Sequence, residues 1–317
     1  MRRGAGIVAL TGASGFVGKA LLTALLDAGY QVRALEHRSP LPVHAALATI
    51  RGSLDDAAIA AELVRGADVV LHVGGLVLAH READFFRVNT EATRTLATAA
   101  RDAGVARFLF VSSLAAREPQ LSAYAKSKHD AEQLLPHIEG LAWDILRPPA
   151  IYGPGDANSL PFIAMLSRGQ VWLPVKCDAV VSMLHVDDLV TAILAWLAMA
   201  NYPAQQTYEI ADHDAGYRWD ALITLAQTAL VRPIHLRQIP CALALVTVAL
   251  MQWVAGMLQR TCFVTVGKIR EMTHADWSVN SNAFKAATGW SPKITILQGL
   301  AATMDWYENR RHLQDKM

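Results

Sequence analysis

Gly6-Ile7-Val8-Ala9-Leu10-Thr11-Gly12-Ala13-Ser14-Gly15-Phe16-Val17-Gly18 decides how the rest of the chain is read. The apolar run Ile7–Leu10 predicts a short buried strand, a glycine-rich turn follows at once, and 18–28 predicts a helix. Strand, turn and helix in that order are the setting that a dinucleotide-binding G-x-x-G-x-x-G needs. Its glycines let the backbone approach a pyrophosphate, and the helix N-terminus offers N–H groups and a favourable dipole. Gly12, Ser14, Gly15, Phe16, Val17 and Gly18 are therefore the candidate cradle. A loop whose glycines only make a tight turn is the plain alternative, and the flanking strand and helix weigh against it.

A second motif lies farther on, where Tyr124-Ala125-Lys126-Ser127-Lys128 follows Ser113 by eleven residues. A tyrosine and a lysine four apart on a helix share one face, so the ammonium can sit beside the phenol and favour its ionised form. A phenol so placed can trade a proton near neutral pH although its ordinary pKa is about 10. Alone, the pair is no more than an exposed tyrosine and a solvated lysine. Beside a nucleotide cradle, Ser113, Tyr124 and Lys128 read as catalytic candidates: Tyr124 trades the proton, Lys128 lowers its pKa and bonds a ribose, and Ser113 holds the substrate oxygen. Strand alternation turns Ser112 to the face opposite Ser113.

Between these motifs strand and helix signals alternate. Strands are expected at 6–11, 31–36, 47–51, 68–73, 106–112 and 142–148, with helices at 90–103 and 122–135. That alternation predicts an α/β chain with a doubly wound parallel sheet of Rossmann type. After Pro149 the pattern changes, with Pro154, Gly155 and Pro161 as breaks, and the remainder reads as a smaller, mostly helical C-terminal substrate lobe.

The two motifs, with His72-Val73-Gly74-Gly75, Val88-Asn89-Thr90-Glu91-Ala92-Thr93, Phe110-Val111-Ser112-Ser113, Arg147-Pro148-Pro149-Ala150-Ile151-Tyr152-Gly153-Pro154-Gly155, His185-Val186-Asp187-Asp188-Leu189 and Ala287-Thr288-Gly289-Trp290-Ser291-Pro292, resemble the extended short-chain dehydrogenase/reductase superfamily. That group includes sugar-nucleotide epimerases, dihydroflavonol-type reductases and 3β-hydroxysteroid dehydrogenases. The resemblance implies a Rossmann domain over 1–150 to which the chain returns at about 181–211, and a substrate lobe formed by 151–180 and 212–317. It also implies that Val73, Gly74, Gly75, Val111, Pro148 and Ile151 face the cofactor. Asn89 matches the family asparagine, with a water or backbone contact beneath the site, or a plain helix-start or structural role, as its readings. His72 is read as structural on the loop over the cofactor, and His185 as a strand-end residue before an Asp-capped helix.

Cofactor choice turns on Leu35-Glu36-His37-Arg38. Glu36 falls where a carboxylate would bind the ribose 2′-OH of NAD and repel a 2′-phosphate, whereas His37 and Arg38 would hold the extra phosphate of NADP. The lean is to NAD. Ser53 and Leu54 lie where the family contacts adenine, with Ser53 in place of the usual aspartate.

Two departures bear on the reaction. Nucleotide-sugar epimerases of the superfamily carry an asparagine where this chain has Ala150 and a diphosphate-binding arginine where it has Val181. Losing both removes the polar anchors a nucleotide diphosphate requires. The Arg147-Pro148-Pro149 form is instead similar to the dihydroflavonol-reductase and 3β-hydroxysteroid dehydrogenase branch, and that resemblance implies an NAD(P)-dependent oxidoreductase acting on a largely apolar ketone or secondary alcohol. A nucleotide-sugar epimerase or dehydratase is the enzymatic alternative, and a non-catalytic cofactor-binding scaffold or redox sensor the alternative of another class.

The 317 residues are 53% hydrophobic, enough for a substantial core, and a formal charge of +1 from 29 basic and 28 acidic side chains gives no sign of a nucleic-acid partner. Cys177, Cys241 and Cys262 are odd in number and widely spaced, which argues against a disulfide framework or zinc site and suits a reducing compartment. All three are expected in or near the core. Met1-Arg2-Arg3 precedes an apolar run too short for a signal peptide, so a cytoplasmic location is expected. Cys241–Leu258 holds no charge in eighteen residues, the lower limit for a membrane span. A helix buried in the lobe or at an interface, a homodimer contact included, is its plain reading, and a surface-dipping helix in peripheral contact with a membrane stays open.

Overall fold

The computed structural model describes residues 6–200, 202–258 and 264–314. Strands β1 (Ile7–Thr11), β2 (Gln31–Glu36), β3 (Leu47–Arg51), β4 (Val69–His72), β5 (Arg107–Val111) and β6 (Trp143–Arg147) lie parallel in the order β6-β5-β4-β1-β2-β3. Strand Gln206–Glu209 adds a seventh member beside β6.

Each central strand is apolar on both faces, as a sheet covered on both sides requires. Along β1, Val8 and Leu10 enter one core while Ala9 enters the other; Val69 and Leu71 part from Val70 in the same way, and Leu109 from Phe108 and Phe110. The first core is closed by helices Phe16–Asp27 and Val186–Leu197, through Leu21, Leu25, Leu189 and Trp196. The second is closed by helices Ala57–Val64, Ala92–Asp102 and Ala123–Leu134, through Leu63, Leu96 and Ala131. This is the doubly wound α/β arrangement. Strand order reverses between β1 and β4, which opens the crevice at their C-terminal ends where such sheets bind ligands.

Helix Phe16–Asp27 starts earlier than expected because Gly15 already serves as its N-cap. The expected helix at 90–103 is the regular part, Ala92–Asp102, of a longer run that begins with a π-helical stretch, Phe86–Glu91. Asn89 therefore lies inside a helix and is not a helix start. At the other end, His185 is itself the cap of helix Val186–Leu197: its Nδ1 accepts the Asp187 N–H at 3.3 Å. The expected aspartate cap is replaced, and Asp188 instead accepts the backbone N–H groups of Lys293 and Ile294, both at 2.9 Å.

Outside the large sheet, strand Ala150–Tyr152 pairs with Met183–His185, Val180–Val181 with Tyr217–Arg218, and Gln170–Leu173 with His235–Gln238. Helices Leu160–Ser167, Trp219–Leu230 and Ile296–Gln314 share a third core that includes Leu166, Leu222 and Leu300. On helix Cys241–Met257 most of the large side chains face outward, which rules out the buried reading and leaves the interface and surface-dipping ones, and Cys241 at its start is exposed and so not a core thiol. Cys177 is half-buried, and Cys262 lies outside the described residues. Among the described residues no helix is long and apolar enough to cross a membrane.

Candidate active site

The cradle is tight enough to exclude side chains. Gly12 has φ +76°, and a Cβ there would lie 2.7 Å from Gly74 N and 2.8 Å from the Val73 carbonyl carbon. At Gly18 a Cβ would fall 1.9 Å from the Gly12 carbonyl oxygen, so this glycine allows the helix to press against the turn. The helix N-terminus receives no side-chain cap, since Gly15 has none to give. Its first N–H groups are left for an anion. Ser14, Phe16 and Val17 are half-buried around the turn, and the Phe16 ring lies 3.9 Å from where a Gly155 Cβ would be. These features fit the pyrophosphate of a dinucleotide.

Behind the cradle a buried polar chain locks β1, β4 and the following helix together. Thr93 Oγ1 donates to Asn89 O at 2.7 Å, so it must accept from His72 Nε2–H at 2.8 Å. His72 Nδ1 is left to accept from Thr11 Oγ1 at 2.6 Å, and Thr11 Oγ1 in turn accepts the Gly74 N–H at 3.1 Å. Burial, with help from the Lys128 charge, pushes His72 down to about 3, so the ring is neutral and structural. Asn89, also buried, accepts the Leu76 N–H at 2.7 Å and donates to Leu76 O and Ser127 Oγ. It thereby ties the Gly74–Gly75 loop to the Tyr124 helix, which is the backbone-contact reading of this residue.

Ser113 ends the β5 segment and caps a short 3-10 turn, its Oγ accepting the Ala115 N–H at 3.2 Å. Ser122 caps helix Ala123–Leu134 through the Ala125 N–H, which presents Tyr124 in the first turn and Lys128 one turn on. Burial pushes the Tyr124 phenol up to about 12; the Ser113 hydroxyl, hydrogen-bonded to it, draws it back, and the Glu271 carboxylate pushes it further up. The phenol is thus protonated near neutral pH, and its pKa moves opposite to the lowering expected from Lys128. Lys128 differs from the expected pairing with the phenol. Its Nζ donates to Val111 O at 2.9 Å and sits 4.1 Å above the Phe110 ring, and burial lowers its pKa to about 7. A Cβ on Gly75 would come within 3.8 Å of the same Nζ, so this ammonium faces the glycine loop. Ser112 is buried with its Oγ unpartnered. Pro148 accepts the Leu114 N–H at 2.8 Å, which fixes the loop after β6 against Ser113, and Ile151 packs on the first core.

At the outer end, Glu36 closes β2 and is largely buried. Its carboxylate accepts the Leu41 N–H at 2.8 Å and Arg51 Nε at 2.6 Å, which hold it below the usual carboxylate range. His37 and Arg38 are exposed beyond it. Arg51 is a cation that the sequence did not single out, because it stands on a different strand, in register with Glu36. Ser53 accepts the Asp55 N–H, while Leu54 is buried in the second core.

Ala150 and Val181 come close together, since Ala150 pairs with Met183 and Val181 stands two residues before it. Glu271, which had no local signal in the sequence, reaches Ser122 from 149 residues away and accepts its Oγ–H, and it also accepts Lys268 Nζ at 3.1 Å. A residue of the C-terminal part thus touches the cap of the helix that carries Tyr124.

The profile of the NAD dependent epimerase/dehydratase family matches residues 8–211. A ceramide reductase of Caulobacter vibrioides is 35% identical over 308 residues, which cover 95% of this chain and 94% of that protein. A 4-hydroxy-2-methyl-3-oxo-4-farnesyl-3,4-dihydroquinoline-1-oxide ketoreductase of Stigmatella aurantiaca is 31% identical over 64% of this chain and 67% of its own. Among solved structures, a UDP-glucuronic acid 4-epimerase from Bacillus cereus in complex with UDP-glucuronic acid and NAD superposes with a TM-score of 0.75 at 17% identity, covering 96% of this chain and 99% of that one. Identity that low speaks for the fold alone. The family profile and the full-length relative, laid over the cradle and the Ser113–Tyr124–Lys128 cluster, place this chain in the NAD-dependent epimerase/dehydratase family of extended short-chain dehydrogenase/reductase enzymes.

Proposed function

We propose that this enzyme is an NAD(P)-dependent reductase of an apolar carbonyl compound, with a long-chain lipid of the kind its full-length relative acts on as the substrate class. The observation that carries this reading is the 35% identity with a ceramide reductase along 95% of the chain. Ala150 and Val181 support it, since neither can bind a diphosphate.

The Gly12–Gly18 turn would bind the pyrophosphate, Glu36 the adenosine ribose, and Lys128, facing the Gly74–Gly75 loop, the nicotinamide ribose. The bound reduced nicotinamide supplies the hydride. Ser113 donates a hydrogen bond to the carbonyl oxygen and orients it. Tyr124 gives its proton to the same oxygen as that oxygen gains charge, and burial of the phenol ensures that the proton is present. The Ser113 hydroxyl, hydrogen-bonded to the phenol, would stabilise the phenolate that remains. Glu36 keeps a negative charge at the end of β2, with its oxygens already accepting the Leu41 N–H and Arg51 Nε, and that charge would repel a 2′-phosphate, which favours NAD over NADP.

A thermal-shift panel with cofactor present tests the substrate class. Ligand at a hundred times its dissociation constant stabilises the fold by about 2.7 kcal/mol. Long-chain ketones should raise the melting temperature, and UDP- or dTDP-sugars should not; the reverse pattern would reject the reading in favour of an epimerase or dehydratase.

A further inference from the structure

Exposed large apolar side chains are concentrated on helix Cys241–Met257. Leu243, Val246, Leu250, Trp253, Val254 and Met257 follow one another at helical spacing, and Val246, Trp253 and Met257 are each more than 60% exposed. They form a single outward stripe. The opposite side is fixed: Ala244 and Val248 are buried against Ile269, and Gln252 Oε1 accepts the Val266 N–H at 2.7 Å.

Charge around this stripe has one sign. From 231 to 270 the sequence contains no Asp or Glu but five Lys and Arg. Arg237, exposed just before the helix, stands in register with the exposed Trp172, and exposed Arg270 follows it, while the charge of Lys268 is met by Glu271 at 3.1 Å. Two copies meeting stripe to stripe across a two-fold axis would bring like charges together, which disfavours a second copy as the cover. An anionic bilayer surface matches both the apolar stripe and its cationic rim, and Trp at the edge of such a patch suits the headgroup layer. At 17 residues the helix is about 26 Å long, short of the roughly 30 Å hydrocarbon core, and its inner side is held by the Val266–Thr273 helix. It can lie in the interface but not span it.

We infer that helix Cys241–Met257 docks flat on an anionic lipid bilayer and thereby brings the catalytic helix to the plane where an apolar lipid substrate resides. The link is short. Helix Val266–Thr273 packs on the docking helix, and its Gly267 lies so close to Ser122 that a Cβ would fall 2.6 Å from the Ser122 Cβ; its Glu271 accepts the Ser122 hydroxyl hydrogen. Ser122 caps the helix that presents Tyr124. Substrate delivery rests on the lipid-reductase reading above; docking does not.

Flotation of the full chain with phosphatidylcholine vesicles, with and without phosphatidylglycerol, tests docking directly. Recovery with anionic vesicles should exceed recovery with neutral ones and fall as salt is raised. Leu250→Glu with Trp253→Glu should reduce it by about tenfold or more while melting temperature and turnover of a short water-soluble ketone stay unchanged. Arg237→Glu, which leaves the stripe intact, should give a smaller loss. No recovery of the unaltered protein, equal recovery of the variants, or a concentration-dependent dimer in the absence of vesicles that the same double change abolishes would overturn the inference. Docking with no turnover of any lipid ketone would uphold it and reject the lipid-reductase reading instead.

Discussion

The side chains behind the glycine turn and those around Tyr152 and His185 treat buried polarity differently. Around the cradle, Thr11, His72, Thr93, Asn89 and Ser127 form an unbroken chain in which every donor and acceptor role is determined. On the other side, Tyr152 Oη, Ser182 Oγ, His185 Nε2 and Asp212 Oδ1 are buried with no partner among the described residues. Burial pushes Asp212 up to about 6 and raises Tyr152, the direction expected for groups short of water and counter-charge. A fully satisfied network rigidifies, and an unsatisfied one awaits water or ligand. The network behind the glycine turn is thus fixed in one arrangement, whereas the groups around Tyr152 and His185, like Ser112 Oγ beside Ser113, keep polar capacity in reserve.

The largest effect should come where the two sides meet. Tyr124→Phe should lower turnover by about a hundredfold or more and leave cofactor affinity nearly unchanged, since the phenol serves the substrate alone. Steady-state kinetics beside a fluorescence titration of NADH would show this, and unchanged turnover would remove Tyr124 from the mechanism.

Lys128 should report on the cofactor side. Burial lowers its pKa to about 7, so the free protein holds the cation below that pH and loses it above. NADH affinity should therefore decline as pH rises through about 7, and Lys128→Met should be weaker throughout and free of that decline. A Lys128→Met protein with unaltered affinity would place the ammonium outside the ribose site.

The network contrast itself is a stability measurement. Thr93→Ala strands the His72 N–H in the core and should cost about 1–3 kcal/mol in denaturant unfolding, whereas Ser182→Ala deletes a hydroxyl that already lacks a partner and should change stability by less than about 0.5 kcal/mol. Equal losses would erase the distinction. Smallest of all, Glu36→Thr should shift the NADH to NADPH affinity ratio a few-fold toward NADPH, because it deletes a like charge and frees Arg51.

The cofactor side was legible in sequence because its determinants are local. The turn from Gly12 to Gly18, the Ser113–Tyr124–Lys128 spacing and the alternating strands each lie within a few residues, and β2 and β3 begin and end where pattern alone put them. What escaped depends on distant parts of the chain. Glu271 meets Ser122 across 149 residues, and Arg51 reaches Glu36 from the next strand. For the Cys241–Met257 helix the sequence left buried, interfacial and surface-dipping readings open, because it is apolar nearly all round and composition could not say which face the rest of the chain would leave uncovered.

The most direct measurement is turnover of NADH with a long-chain lipid ketone and, in parallel, incubation with a UDP-sugar and NAD. Oxidation of NADH that requires the lipid ketone and is lost in Tyr124→Phe, with the UDP-sugar untouched, is the expected result. Conversion of the UDP-sugar to its epimer without net release of NADH, and no reaction with any lipid ketone, would contradict it.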